Sequence, residues 1–281
     1  MISKIKRILV PTDFSTTSTK ALGVAAKLAD KLGAKITLLN VIDPPFNFPT
    51  NIEGVIDFLT ENSEQHLAMT IDKVKNENPG KALQIKSQIR LGKPVSQILE
   101  AISDLKFDLV VMGSSTDAPT RKVIFGSVST DILLRSPKPV LAIPENADEK
   151  NIQLDHLLYT TNFRHNDVEN LADLAIFAKH FDATIEVLHI AKENDLRSDI
   201  KFRGFKQLVT EKNVYDKIRF EYVVKEDAFE GISEYIGSKP GSTIVMNRYK
   251  KSIVGLLVDK NYTKKLSVYS KVPLLVLIGD K

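Results

Sequence analysis

A loop closed by glycine at the start of a helix offers unpaired backbone N–H groups to an anion, and residues 108–144 have that form: DLVVMGSSTDAPTRKVIFGSVSTDILLRSPKPVLAIP. Asp108 to Met112 is a short apolar run ending at Gly113, as expected of a strand buried on both faces, and Gly113 permits a tight exit. A polar loop follows. Gly126-Ser127 then stands just before an apolar-periodic segment, where a helix N-cap is expected. The first-turn N–H groups and the positive end of the helix dipole would face whatever lies over the glycines. A second group of chemistry-bearing residues, Thr12, Asp13 and Ser15, follows an apolar run that stops at Pro11.

Catalytic alternatives have little to rest on. No GxxxxGK[ST] phosphate loop, HExxH metal motif or GxSxG elbow occurs, although Ser114 and Ser115 do follow a strand. His66, His156, His165, His180 and His189 show no metal-ligand spacing. With no cysteine in the chain, disulfides, thiolate chemistry and Cys-ligated metals are all excluded.

The elements that must position these groups are legible from periodicity. Lys4 to Asp13 opens with a strand, and Ser15 to Leu32 is a helix with Ala21, Leu22, Ala25, Leu28, Ala29 and Leu32 on one face, stopped by Gly33. Lys35 to Val41 is a second strand, which completes a βαβ unit with parallel pairing and a right-handed crossover. Three prolines keep residues 43–49 irregular, and a long helix runs from about Ile52 to Lys75. Leu83 to Leu91 alternates enough for an edge strand, and Gly92-Lys93-Pro94 turns into a helix carrying Val95, Ile98, Leu99 and Ile102. The half reads β-α-β-α-β-α-β-α-β, a doubly wound parallel sheet whose ligand would lie beyond the carboxyl ends of the strands at the switch point.

At 281 residues, 43% hydrophobic and 26% charged, the chain has the size and composition of two globular domains. No apolar run is long enough to span a membrane, and the N-terminus lacks the features of a signal peptide, so the expectation is a cytoplasmic protein without a membrane partner. A net charge of +4, with Lys and Arg dispersed, argues against a nucleic-acid groove. Residues 144–151, PENADEKN, read as a linker, which divides the chain into domains 1–146 and 152–281. The second repeats the first. His156 to Phe163 lies over Arg7 to Phe14, Ile185 to Ile190 over Ile36 to Val41, and Ile232 to Pro273 over Ile98 to Pro139.

These residues resemble the universal stress protein family in its tandem two-domain form. Nucleotide-binding members carry Gly, two residues, Gly, nine residues, Gly, then Ser or Thr. Here Gly113, Thr116, Gly126 and Ser127 stand at those positions, with Thr116 replacing the second glycine. The resemblance implies two repeated, doubly wound, five-stranded Rossmann-like sheets of the adenine nucleotide alpha hydrolase-like type. It also implies ATP or AMP as ligand, with or without Mg²⁺, and contacts from Pro11, Thr12, Asp13, Val41, Gly113, Thr116, Gly126, Ser127 and Val128. In that role Asp13 would accept from ribose hydroxyls, an adenine amino group or a Mg²⁺-bound water, and Val41 would read adenine through its main chain. Gly126, Ser127 and Val128 would turn N–H groups to the phosphates, with Arg121 and Lys122 nearby to neutralise charge. Each has a plainer alternative: a tight turn at Gly113, an N-cap at Ser127, a helix cap at Asp13, solvated charges at Arg121 and Lys122.

In the second copy Asn162 replaces Asp13 and Thr160 replaces Pro11. Asn247, Lys250, Lys260 and Asn261 stand over Gly113, Thr116, Gly126 and Ser127. Larger side chains there should fill the space of a phosphate, leaving a degenerate partner domain. Because the fold survives without these glycines, a ligand is the better explanation of Gly113 and Gly126. The expectation is a stress-response protein that binds an adenine nucleotide in its first domain and signals to a protein partner, with any ATP hydrolysis slow. The alternative is a ligand-free interaction module closed by Thr116. The short apolar strands 139–143 and 273–278 are further expected to pair the copies within one chain, with two chains then free to form a homodimer.

Overall fold

The computed structural model describes residues 2–44, 52–114, 126–147, 152, 154–212, 214–239, 241–249 and 272–279. The chain divides into two compact units, one of Ile5–Ser114 and Ser127–Ile143, the other drawn mainly from Pro144–Lys281. Among the described residues no helix is long and apolar enough to cross a membrane.

The first unit runs β1 (Arg7–Thr12), α1 (Thr16–Leu32), β2 (Lys35–Ile42), α2 (Ile52–Asn76), β3 (Ile85–Leu91), α3 (Pro94–Asp104), β4 (Leu109–Ser114), α4 (Ser127–Arg135), β5 (Val140–Pro144). Its strands lie in the order β3-β2-β1-β4-β5, with β1 parallel to β2 and β4, and β2 parallel to β3. The order reverses between β1 and β4, so the chain winds one way from β1 through β3 and then crosses back. The central strands are covered on both faces: Ile8, Leu9, Val10, Leu38, Leu39, Val110 and Val111 are fully buried, and their sequences read as continuous apolar runs rather than alternating ones. β3, whose alternation predicted an edge strand, is the edge of this sheet.

Helix α1 ends as its sequence dictates. Ser15 caps it, accepting from the Ser18 N–H, and Gly33 closes it in the left-handed conformation at φ 64°. Gly92, at φ 127°, makes the turn from β3 into α3 while its N–H donates to the Ile42 carbonyl at 2.9 Å. Pro94 begins α3, where its missing N–H costs nothing.

The second unit runs β6 (His156–Thr160), α5 (Asp167–Lys179), β7 (Thr184–Ala191), α6 (Leu196–Lys212), β8 (Ile218–Val224), α7 (Ala228–Gly237), β9 (Thr243–Arg248), β10 (Leu274–Ile278). Its order, β8-β7-β6-β9-β10, is that of the first unit position for position, and the pairs β6–β7, β7–β8, β6–β9 and β9–β10 are all parallel. The repeat in the sequence is thus a repeat of topology. Two doubly wound sheets of five parallel strands, Rossmann-like in order, are the architecture of the chain.

Candidate functional site

In the first unit the switch point lies at the carboxyl ends of β1 and β4, where a doubly wound sheet leaves a crevice for a ligand. β1 delivers Pro11, Thr12 and Asp13 to it, and β4 delivers Gly113 and Ser114. Pro11 and Thr12 are buried beside Leu39 and Asn40 of β2, while Asp13 is exposed. Val41, near the end of β2, is half-buried.

A network of hydroxyls and one amide holds the exit of β1. The Thr12 Oγ1 lies 3.1 Å from the Ser18 Oγ in the first turn of α1 and accepts from the Phe14 N–H at 3.0 Å. That bond steadies Phe14 at φ 64°, a left-handed conformation that a bulky residue seldom holds. The Asn40 side chain donates to the Thr12 carbonyl at 2.9 Å and accepts from Ser63 of α2 at 2.8 Å. Thr17, Ser18, Asn40 and Ser63 are all buried parts of this frame that motif reading missed. The available signal was Asn40 itself, a side chain needing partners inside the otherwise apolar stretch LLNV.

Asp13 Oδ1 accepts from the Ser15 N–H at 3.0 Å, so its carboxylate braces the loop ahead of α1 while Ser15 caps the helix. Partial burial opposes its ionisation, but hydrogen bonds from Ser15 and Ser18 prevail and hold the carboxyl below its usual value. Asp13 is therefore a fixed, exposed anion at neutral pH. Such a group repels bare phosphate and accepts from hydroxyl or amino donors.

Gly113 is not the turn residue the sequence suggested. It lies inside β4, which continues to Ser114. A Cβ there would come within 2.9 Å of the Ser18 backbone nitrogen and the Thr17 carbonyl carbon. The glycine is demanded by the close approach of α1 to β4, so it does not need a ligand to account for it. Ser114 is buried, and its hydroxyl has no partner among the described residues. Ser127 is the first residue of α4 rather than its cap, with Gly126 just before it, Ser127 exposed and Val128 half-buried. Thr116, Arg121 and Lys122 lie outside the described residues. The structure thus brings Thr12, Ser18 and Gly113 into contact and stands Asp13 beside them.

The second unit keeps this frame with different residues. Thr161, over Thr12, accepts from the Phe163 N–H at 3.0 Å, and Phe163 repeats the left-handed turn at φ 57°. His189 stands over Asn40, its Nδ1 2.9 Å from the Thr161 carbonyl. At the position of Gly113, Asn247 is buried in a polar cluster instead. Its amide donates to Asp167 Oδ1 at 2.6 Å and to the Tyr159 hydroxyl, and its oxygen accepts from Asn170 at 3.0 Å. Asp167 also accepts from Thr161 Oγ1 at 2.6 Å, from the Arg164 N–H at 2.9 Å and from the Tyr249 hydroxyl. Helix α5 opens at Asp167 rather than at His165, the residue that falls on Thr16 of α1. The expected filling at Asn247 is present; Lys250, Lys260 and Asn261 lie outside the described residues.

One further constellation carries chemistry-bearing residues. His156 Nδ1 lies 2.7 Å from Ser242 Oγ and its Nε2 3.1 Å from Glu186, which Lys239 also contacts at 3.0 Å. The order Ser-His-Glu is that of a nucleophilic triad, but Ser242 gives its proton to the Lys239 carbonyl at 2.8 Å, the wrong direction for transfer to histidine. It also sits at the amino ends of the strands, away from the switch point, with Ser242 buried. Burial works to raise the Glu186 pKa, yet hydrogen bonds from Tyr235 and Lys239 and the nearby charges bring it below the usual value. This is a buried charge cluster that stabilises the ionised glutamate.

Comparison with known proteins points one way. The model of the Universal stress protein family matches residues 4–144. The universal stress protein MJ0577 of Methanocaldococcus jannaschii is 28% identical over 152 residues, covering 49% of this chain and 94% of its own. The stress response protein NhaX of Bacillus subtilis is 29% identical over 160 residues, 49% of this chain and 96% of its own. A crystal structure of a universal stress protein from Archaeoglobus fulgidus, at 22% identity, superposes with a TM-score of 0.73 over 99% of this chain and 98% of that one, a likeness of fold.

Proposed function

We propose, from the premise that this chain belongs to the universal stress protein family and shares its stress-response role, that the first unit binds an adenine nucleotide and signals through the occupied state. In this reading Asp13 accepts from the ribose hydroxyls, and the main chain at Val41 reads the adenine edge. The N–H groups of Gly126, Ser127 and Val128 meet the phosphates at the start of α4. The observation that carries the reading is Asp13: an exposed, ionised carboxylate fixed by Ser15 at the β1–β4 switch point, where a sugar would supply donors. The buried Ser114 hydroxyl at the end of β4, which has no partner among the described residues, supports it, because a ligand there would offer it one. Binding and signalling, rather than turnover, is the proposed activity.

The test is thermal unfolding with ATP and with AMP, each with and without Mg²⁺. A nucleotide at about a hundred times its Kd should add about 2.7 kcal/mol of stability and raise Tm by several degrees. Gly126→Val should abolish the shift while Asn247→Ala leaves it. No shift at millimolar nucleotide would leave the ligand-free interaction module as the better account.

A further inference from the structure

The second unit is not filled to the surface. At the carboxyl ends of β6, β7 and β9 it retains a cavity of about 240 Å³ at the point where its strand order reverses, the place where a doubly wound sheet takes a ligand. Its apolar lining comes from Leu188, Ile190, Phe229, Ile232 and Met246. Through the internal repeat four of these fall on Leu39, Val41, Ile98 and Met112 of the first unit, so the apolar floor persists where the glycine signature is lost. Among the described residues, the donors at this end are already turned to carboxylates. The Arg164 N–H and the side chains of Thr161, Asn247 and Tyr249 all point their protons at the buried carboxylate of Asp167. Asp227 likewise takes the Phe229 and Glu230 N–H groups at the start of α7, at 2.9 and 3.0 Å. The Arg164 guanidinium lies over the Tyr249 ring, 4.7 Å from its centre. A phosphate entering this cavity would meet one carboxylate and no uncommitted backbone donors among these residues.

We propose that this cavity is a second ligand site, suited to an uncharged, largely apolar ring compound of about nucleobase size in preference to phosphorylated ones. The ring packs on Ile190, Ile232 and Met246, and the Thr160 hydroxyl and Asn162 amide at the rim serve its polar edge. This reading stands independently of nucleotide binding by the first unit.

The experiment uses the full-length chain carrying Gly126→Val, so that binding to the first unit does not interfere, with ¹³C-labelled isoleucine and methionine methyl groups. Indole, adenosine and AMP are titrated in turn. Indole or adenosine should shift the Ile190, Ile232 and Met246 methyl signals saturably. AMP should bind about tenfold more weakly than adenosine or worse, the size expected of one charge brought near a buried carboxylate. Ala228→Trp, a change at an exposed residue of the cavity rim, should remove the response while the remaining spectrum stays that of the folded protein. Absence of a methyl shift with both uncharged probes at millimolar concentration, AMP binding as tightly as adenosine, or a response that survives Ala228→Trp would each overturn the proposal.

Discussion

Gly113 answers to two demands that the sequence cannot separate. Its place in a glycine signature suggests close approach of a ligand, yet the backbone of Thr17 and Ser18 already occupies the space a Cβ would need. Backbone cannot swing aside as the end of a flexible side chain does. Gly113→Ala should therefore destabilise the protein by about 1–3 kcal/mol without any nucleotide present, measurable as a lower urea midpoint. An alanine variant as stable as the parent would return the glycine to a purely ligand-facing role. Asp13 shows a similar doubling, since the plainer role foreseen for it, helix capping, is performed by Ser15. Asp13 braces the same turn from outside and keeps its charge.

At the scale of elements, the strand-to-helix exit is the conserved part of the internal repeat, and the residues that hold it differ. Asn40 holds the Thr12 carbonyl in the first unit, and His189 holds the Thr161 carbonyl in the second. His189 is buried against Phe163, with ring centres 4.2 Å apart, and Tyr222, at 5.6 Å. Burial lowers its pKa below the usual 6.5, the bond to Thr161 acting the other way. The folded state thus resists a proton that the unfolded chain accepts, so stability should be level above about pH 6.5 and decline as the pH falls below it. His189→Asn, which copies Asn40, should cost about 1 kcal/mol at pH 7 through the lost ring contacts and remove this part of the decline. Urea unfolding from pH 7.5 to 5 reads both effects. A variant with the parent's full pH dependence would assign the decline elsewhere.

For the whole molecule, one architecture has been written twice and finished differently at its carboxyl ends. The first unit retains small residues against α1 and an exposed carboxylate. The second answers with Tyr159, Asp167, Asn170 and Asn247 where the first has Val10, Ser18, Ala21 and Gly113. These four join in one buried network, and burying them singly would leave polar groups unmet at a cost of on the order of 1–3 kcal/mol each. Calorimetric titration with ATP should accordingly give one site per chain, and none in Gly126→Val. A stoichiometry of two would show that the Asn247 network does not exclude phosphate.

The sequence by itself determined the element order, the parallel sheets, the edge strand β3, the Gly33 end of α1 and the internal repeat, because periodicity and turn chemistry are local. It also placed a ligand beyond the carboxyl ends of the strands, while the observed strand order decided that β1 and β4 flank the switch point. Only the tertiary structure decided what each site residue touches. That Gly113 meets Thr17, that Asn40 reaches the Thr12 carbonyl, and that Asn247 joins Asp167 yet leaves a cavity are contacts between residues distant in the chain. Such contacts depend on how closely helix and sheet approach, which the packed side chains of the whole unit set together and no spacing of motifs encodes.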